Sequence, residues 1–264
     1  MTPKIELREI SHTYTRGAST VAAFERLSIS IGAGEFVSIV GPSGCGKTTL
    51  LFSVAGFLRP THGSVLVDGK PVAGPGPDRG VVFQSFALFN WLSIRHNIEF
   101  GLRMAGVEAA RRRARSDQLL SMVGLARFAD RYPYELSGGM KQRTAISRAL
   151  ATDPDILLMD EPFAALDAQS REMMQEELVR IWDATRKTIM FVTHSIDEAI
   201  YLSSRVIVFT ARPGRVKHTL EIRLPEPRYD PHVRTSLEFM AAKESILDLV
   251  REETVKQFKE ESSP

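Results

Sequence analysis

The chain divides into stretches that differ in how their apolar residues recur. Through roughly the first forty residues, apolar and polar positions alternate. Ile5 and Leu7 open one strand, and Leu27, Ile29 and Ile31 mark another with Ser28 and Ser30 opposed. A period of two sends successive side chains to opposite faces, which predicts a small antiparallel sheet covered on one side. Phe36–Val40, Ile156–Met159, Thr188–Val192 and Arg205–Phe209 are short apolar runs of another kind. They fit strands covered on both faces. Gly63–Val67 and Gly80–Phe83 read as further strands, separated by a loop rich in Gly and Pro at Gly74-Pro75-Gly76-Pro77. From about Trp91 to Tyr132 the pattern is helical, and Met174, Leu178, Ile181 and Trp182 fall on one stripe of a later helix. Val216, Leu220, Ile222 and Leu224 alternate again, as in an edge strand. Pro225, Pro227 and Pro231 then break the chain, and from Thr235 onward it reads as one helix with a fraying charged tail. Strand and helix in alternation imply an α/β fold, a mostly parallel sheet with helices on both faces.

At one strand-to-helix junction the sequence is Gly41-Pro42-Ser43-Gly44-Cys45-Gly46-Lys47-Thr48. This is the spacing of a loop that holds a nucleoside triphosphate. Glycines let the backbone approach the phosphates with no Cβ in the way. Its N–H groups point inward, Lys47 reaches the outer phosphates, and the Thr48 hydroxyl is placed for Mg²⁺. The helix that follows, Thr48 to Ala55, adds a positive partial charge beneath the anion.

Composition narrows what the triphosphate could serve. The 264 residues carry 34 basic and 32 acidic side chains, a net charge of +2, so bulk charge makes no case for nucleic acid. An arginine cluster at Arg111, Arg112, Arg113 and Arg115 reads as a solvated helix face more readily than as a nucleic-acid patch. Cys45 is the only cysteine, so no internal disulfide can form; it reads as a small residue that fits the loop rather than a redox sensor. No apolar stretch approaches the ~18 residues needed to cross a bilayer, and Met1–Glu6 lacks the apolar core of a signal peptide. The chain is expected on the cytoplasmic side, with any membrane-spanning part supplied by another chain.

Two further segments carry chemistry. The strand Ile156–Met159 runs into Asp160 and Glu161. A carboxylate at such a strand end can hold Mg²⁺, usually through water, and the next one, leaving the strand, can polarise an attacking water. Leu136-Ser137-Gly138-Gly139-Met140 opens a helix, with Ser137 a good N-cap and two glycines that bare the backbone to a phosphate.

Taken in order, the phosphate loop, Gln84, the Leu-Ser-Gly-Gly segment, Ile156–Glu161, Ala165-Leu166-Asp167 and His194 resemble the ATP-binding-cassette (ABC) ATPases over about residues 4 to 215. The resemblance implies a phosphate-loop NTPase fold with a mostly parallel core sheet, an N-terminal antiparallel β subdomain and an inserted helical subdomain. It places the ATPase domain at 4–225, its helical part at about 91–140, and a C-terminal helical extension at 226–264. ATP and Mg²⁺ would be the ligands. Tyr14 matches the family's adenine-stacking aromatic, though an aromatic packed on the core is the alternative. Gly41 to Thr49 would bind phosphates, Thr48 and Gln84 would bind Mg²⁺ with Asp160 behind them, Glu161 would be the catalytic carboxylate, and His194 would hydrogen-bond the γ-phosphate. In this family Ser137, Gly138 and Gly139 close over the ATP held by a second copy, and Asp167 would lie on that subunit contact. Met140 stands where the family usually has Gln. Phe86, Leu88, Phe89, Trp91 and Leu92 after Gln84 would help form a groove for a short helix of the membrane subunit, or else fill the junction between core and helical part. Pro77–Gln84 and Ala211–Val216 further resemble import ATPases for nitrate, sulfonate, taurine and some thiamine precursors. That implies two membrane subunits, a solute-binding protein and two of these chains. An export ATPase, or a non-transport ABC ATPase, is the alternative.

Overall fold

The computed structural model describes residues 2–17, 19–230 and 232–261. The break expected at Pro231 and the end of the charged tail, Ser262–Pro264, lie outside them. Two compact units are present: Met1–Gly76 with Val179–Pro264, and Pro77–Leu178.

The first unit carries the N-terminal antiparallel sheet. Strands β1 (Ile5–Arg16) and β2 (Ser19–Ile31) pair with Ile5 opposite Ile31 and Leu7 opposite Ile29. These apolar residues are all buried while Ser28 and Ser30 are exposed, as the alternation required. β4 (His62–Val67) and β5 (Lys70–Pro71) extend the sheet in the order β2-β1-β4-β5. The β1–β2 ladder is interrupted between Leu7 and Ile10, where Glu9 adopts a left-handed φ of 46°, and again between Ile10 and His12, where Arg26 on the facing strand has φ of 47°. Each irregularity is satisfied across the pair. Ser28 Oγ accepts the Glu9 N–H and Ser11 Oγ accepts the Arg26 N–H. A bulge that removes a ladder bond needs such a substitute.

The same unit holds the parallel strands β3 (Phe36–Val40), β8 (Thr188–Val192) and β9 (Arg205–Phe209), with β3 between the other two. Every residue of β3 and β8 is buried, which explains why the sequence is apolar there without alternation. The edge strand β10 (Val216–Glu221) pairs antiparallel with β9. It stops short of the predicted end, and Ile222 is buried just beyond it. Helices α1 (Lys47–Ala55), α6 (Ile196–Leu202) and α7 (Leu237–Glu261) complete the unit. The Phe239 N–H donates to Ser236 Oγ at the start of α7, so the last helix begins just after Thr235.

In the second unit β6 (Arg79–Val82) lies parallel to β7 (Ile156–Asp160). Its helices are α2 (Ile94–Met104), α3 (Ala109–Met122) and α4 (Gly138–Ala151), and α5 (Ala168–Thr185) begins here. A Cβ at Gly80 would come within 2.8 Å of Ala149 O, so only glycine lets α4 lie this close to β6. Of the clustered arginines, Arg111 and Arg113 are exposed. Arg115 donates to Leu150 O and Arg112 to Val107 O, so half of the cluster ties down local backbone instead of facing solvent. The stripe of Met174, Leu178, Ile181 and Trp182 on α5 is buried throughout. Among the described residues no helix is long and apolar enough to cross a membrane.

Candidate functional site

In the first unit, β3 runs directly into the phosphate loop and then α1. Gly44 and Gly46 have φ of 75° and 90°, the left-handed region that L side chains rarely adopt. Gly46 is the N-cap of α1, and a Cβ there would lie 2.7 Å from Ala23 O. The glycine spacing therefore answers two constraints, backbone hand and close approach. Lys47 is 7% exposed, and its ammonium donates to Gly41 O and Pro42 O, each at 2.9 Å. The loop thus closes over its own cation. No acidic residue occupies the first turn of α1, so nothing there opposes an anion. Thr48 is exposed on that turn, and Ser43 and Gly44 are exposed on the loop. Tyr14 is 49% exposed, and its hydroxyl shares a 3.2 Å hydrogen bond with Thr49 Oγ1. The ring packs T-shaped with His12, centroids 4.7 Å apart. Cys45 is fully buried, and burial pushes its thiol above the ordinary value, so it stays protonated and unreactive near neutral pH.

His194 follows β8 and is exposed at the start of the α6 connection. Its two neighbours are both anchored to α6. The buried Thr193 hydroxyl donates to Glu198 Oε2 at 2.6 Å, and Ser195 caps α6 by accepting the Glu198 N–H.

The second unit carries the other residues expected at the site. Asp160, the last residue of β7, is 4% exposed. Glu161 turns out of the strand with φ of 43°, a conformation that costs a non-glycine residue about 1 kcal/mol or more. Such a residue is held by its surroundings, and Gln84 Nε2 donates to Glu161 Oε2 at 3.2 Å. Ser137 caps α4, its hydroxyl accepting the Met140 N–H, and it is exposed. With Met140 in the usual Gln position, the cap is intact. The first turn of α4 also lacks an acidic residue. A Cβ at Gly138 would sit 3.3 Å from Ala165 O, tighter than an ordinary contact. Asp167 accepts the Ser170 N–H at 2.9 Å, and that bond holds its carboxyl below the usual range. The segment after Gln84 is also constrained. Phe86 and Ala87 both have positive φ, and Arg148 of α4 donates to both of their carbonyls. The fully buried Asn97 amide holds Phe89, Leu92 and Ser93, leaving Trp91 73% exposed.

One contributor to the phosphate loop does not follow from motif spacing. The segment Ala211–Val216 wraps the loop in the first unit. Arg212 Nε donates to Gly44 O at 3.2 Å, Gly214 N donates to Ala23 O, and Gly214 O accepts the Glu25 N–H. A Cβ on Gly214 would fall 2.1 Å from Cys45 O. Gly214→Ala therefore has to displace backbone of the phosphate loop. We expect a loss of about 3 kcal/mol or more in unfolding stability and weakened ATP binding. Gly74→Ala, where a Cβ meets nothing within 4 Å, is the control and stays within about 0.5 kcal/mol of the parent. Denaturant titration and fluorescent-nucleotide binding read both.

Behind that segment lies the buried Glu253 of α7, whose Oε2 accepts the Ala211 N–H at 3.1 Å. Burial alone would raise its pKa, but hydrogen bonds from Lys256, Lys217 and Ala211 together with the Lys217 charge outweigh it and hold the carboxyl at about 2. A folded-state pKa below the unfolded value of 4.5 stabilises fully above pH ~4.5 and is lost as pH falls toward 2. The contribution is up to about 3 kcal/mol. Glu253→Gln should remove that increment at neutral pH and flatten the acid limb of the unfolding curve between pH ~4.5 and 2.

The ABC transporter family model matches residues 24–164, more than half of the chain. A taurine import ATP-binding protein of Rhizobium johnstonii is 49% identical over 235 residues, 88% of this chain and 90% of its own length. A nitrate import ATP-binding protein of Synechocystis is 45% identical over 231 residues, covering 88% and 87%. An uncharacterized ABC transporter ATP-binding protein of Methanocaldococcus jannaschii is 48% identical over 259 residues, covering 98% and 96%. Among solved structures, a post-hydrolysis dimer of the ATP-binding cassette MJ0796 bound to ADP and phosphate matches with TM-score 0.76. It is 34% identical and covers 83% of this chain and 99% of that one. The chain belongs to the ABC transporter family. It is an ABC ATPase, the ATP-binding subunit of a transporter.

Proposed function

We propose that this ATPase works at the cytoplasmic face of the cell membrane and drives import of a small solute of the nitrate, sulfonate or taurine kind, or a thiamine precursor. The membrane-spanning subunits and the solute-binding protein are separate chains. The observation that carries the reading is the near-full-length similarity to taurine and nitrate import ATP-binding proteins. The exposed Trp91 loop, with Phe89 in tilted ring contact with both Trp91 and Phe100, supplies an aromatic surface suited to a short helix of a membrane subunit.

In this reading two copies meet head to tail. Lys47 and the loop amides hold the β- and γ-phosphates of ATP, with Tyr14 against the base. The Ser137–Gly139 turn of the second copy closes over the same nucleotide, and Asp167 lies on the contact. The Thr48 hydroxyl, the Gln84 amide oxygen and the Asp160 carboxylate are hard oxygen donors of the kind Mg²⁺ takes. The ion would neutralise phosphate charge. Glu161 polarises the attacking water and His194 hydrogen-bonds the γ-phosphate. ATP holds the two copies shut, and hydrolysis removes those contacts and lets them part.

The test is co-purification of this chain with its membrane subunits and binding protein in proteoliposomes. Nitrate, taurine, alkyl sulfonates and a thiamine-precursor pyrimidine are then offered. ATPase stimulation by one of them, only when the binding protein is present, is the expected result. Full stimulation without any binding protein would point to an exporter and overturn the import reading.

A further inference from the structure

Helix α7 carries two stripes, and the fold uses one. Phe239, Ile246 and Glu253, seven residues apart, are buried against the rest of the first unit. A separate stripe holds Leu237, Met240, Glu244, Leu247, Arg251, Val255 and Phe258. At about 100° per residue these seven occupy an arc of only about 80°. Leu237 is 85% exposed, Met240 53%, Leu247 47%, Val255 46% and Phe258 64%. Glu244 and Arg251 are exposed as well. Five large apolar side chains along one exposed stripe are more than a soluble surface ordinarily shows, and such stripes mark contacts.

The order of the stripe says what covers it. Reflected about the point between Leu247 and Asp248, three pairs correspond, while Leu247 itself meets the exposed Asp248. Leu237 mirrors Phe258, Met240 mirrors Val255, and Glu244 mirrors Arg251. In a two-fold contact between identical surfaces residue i meets j and j meets i, so these three pairs suit it: apolar against apolar, and carboxylate against guanidinium. Two α7 helices laid antiparallel about that point bring apolar ends together at both extremities. They also set each Glu244 beside the Arg251 of the other copy, twice over. A lipid surface would select basic residues around the apolar stripe and would disfavour a carboxylate near its centre.

We propose that the outer stripe of α7 is a self-docking surface whose occupant is the α7 of a second copy in antiparallel two-fold contact. The contact uses none of the residues assigned to ATP, so it forms without nucleotide and persists when the nucleotide seam opens.

The experiment uses the full chain, free of nucleotide, in sedimentation velocity from about 1 to 100 µM, because self-association must depend on concentration. Reversible dimerisation is expected. Leu247→Glu should weaken it at least tenfold, about 1.4 kcal/mol. Glu244→Arg and Arg251→Glu should each weaken it by like-charge contact, and the two together should restore it to within about twofold of the parent. Direction is read by cysteine pairing under a mild copper oxidant, the native Cys45 being buried. Leu247→Cys should link to itself. Leu237→Cys should not, its twin lying about 30 Å away along an antiparallel pair, whereas mixed Leu237→Cys and Phe258→Cys chains should link. A chain that stays monomeric at 100 µM, or a double charge swap no better than the single ones, overturns the proposal. So does Leu237→Cys linking to itself as readily as Leu247→Cys. If Leu247→Glu instead spares self-association and abolishes co-purification with membrane subunits or binding to vesicles, the stripe belongs to those partners and the proposal fails.

Discussion

Glu161→Gln is expected to leave ATP binding intact and to slow hydrolysis by a factor on the order of 10² or more. The substitution keeps the shape of the side chain and an oxygen that can still accept the Gln84 N–H, so the 3.2 Å contact need not break. It leaves the left-handed turn at φ 43° as strained as before, because the backbone demand on a glutamine is the same. What disappears is the negative charge and the basicity that polarise water. Nucleotide binding by fluorescence and single-turnover hydrolysis separate the two effects. Turnover within about twofold of the parent would remove Glu161 from the role assigned to it. Nucleotide-driven pairing should be easier to see in this variant, since the ligand that holds the copies shut is not consumed.

The second large effect concerns which copy a defect reaches. Ser137 is exposed and caps α4. Ser137→Arg removes a cap worth about 1 kcal/mol of local stability and puts a long cation at a helix start whose proposed ligand is a phosphate on the other copy. Paired with Lys47→Ala, it gives a sharp comparison. A mixed dimer with Ser137→Arg on one chain and Lys47→Ala on the other should lose one nucleotide site and keep the second. A mixed dimer with both changes on a single chain should lose both. Nucleotide trapping, which counts occupied sites, is the readout, because turnover can require both sites at once. The opposite result, two sites lost when the changes are split and one when they are joined, would place Ser137 on its own chain's nucleotide.

Much of the site could be read in advance because it is local. The phosphate loop is eight consecutive residues whose glycines, lysine and threonine act within one strand-to-helix turn, so residue type and spacing suffice. The cap at Ser137 is equally local, bonding an amide three residues ahead. The buried strands were visible as unbroken apolar runs, and the antiparallel sheet as alternation. Burial of Lys47 under two carbonyls of its own loop follows from that loop closing on itself. The arginine cluster was only half legible. Periodicity marks which way a side chain leaves its helix, but not that Arg115 would find Leu150 O 35 residues further on.

By itself the sequence determined the phosphate-binding turn, the Ser137 cap, the strand and helix alternation, and the order of motifs that places the chain among ABC ATPases. Those features depend on contacts within a few residues, where backbone geometry leaves few choices. The tertiary structure alone decided that Gln84 reaches Glu161 across 77 residues, and that Arg212 reaches Gly44 across 168. It also set Glu253 on the Ala211 amide, 42 residues away. No spacing rule encodes such meetings. They arise when burying the apolar strands fixes the path of the whole backbone, and the polar groups brought together must then satisfy one another.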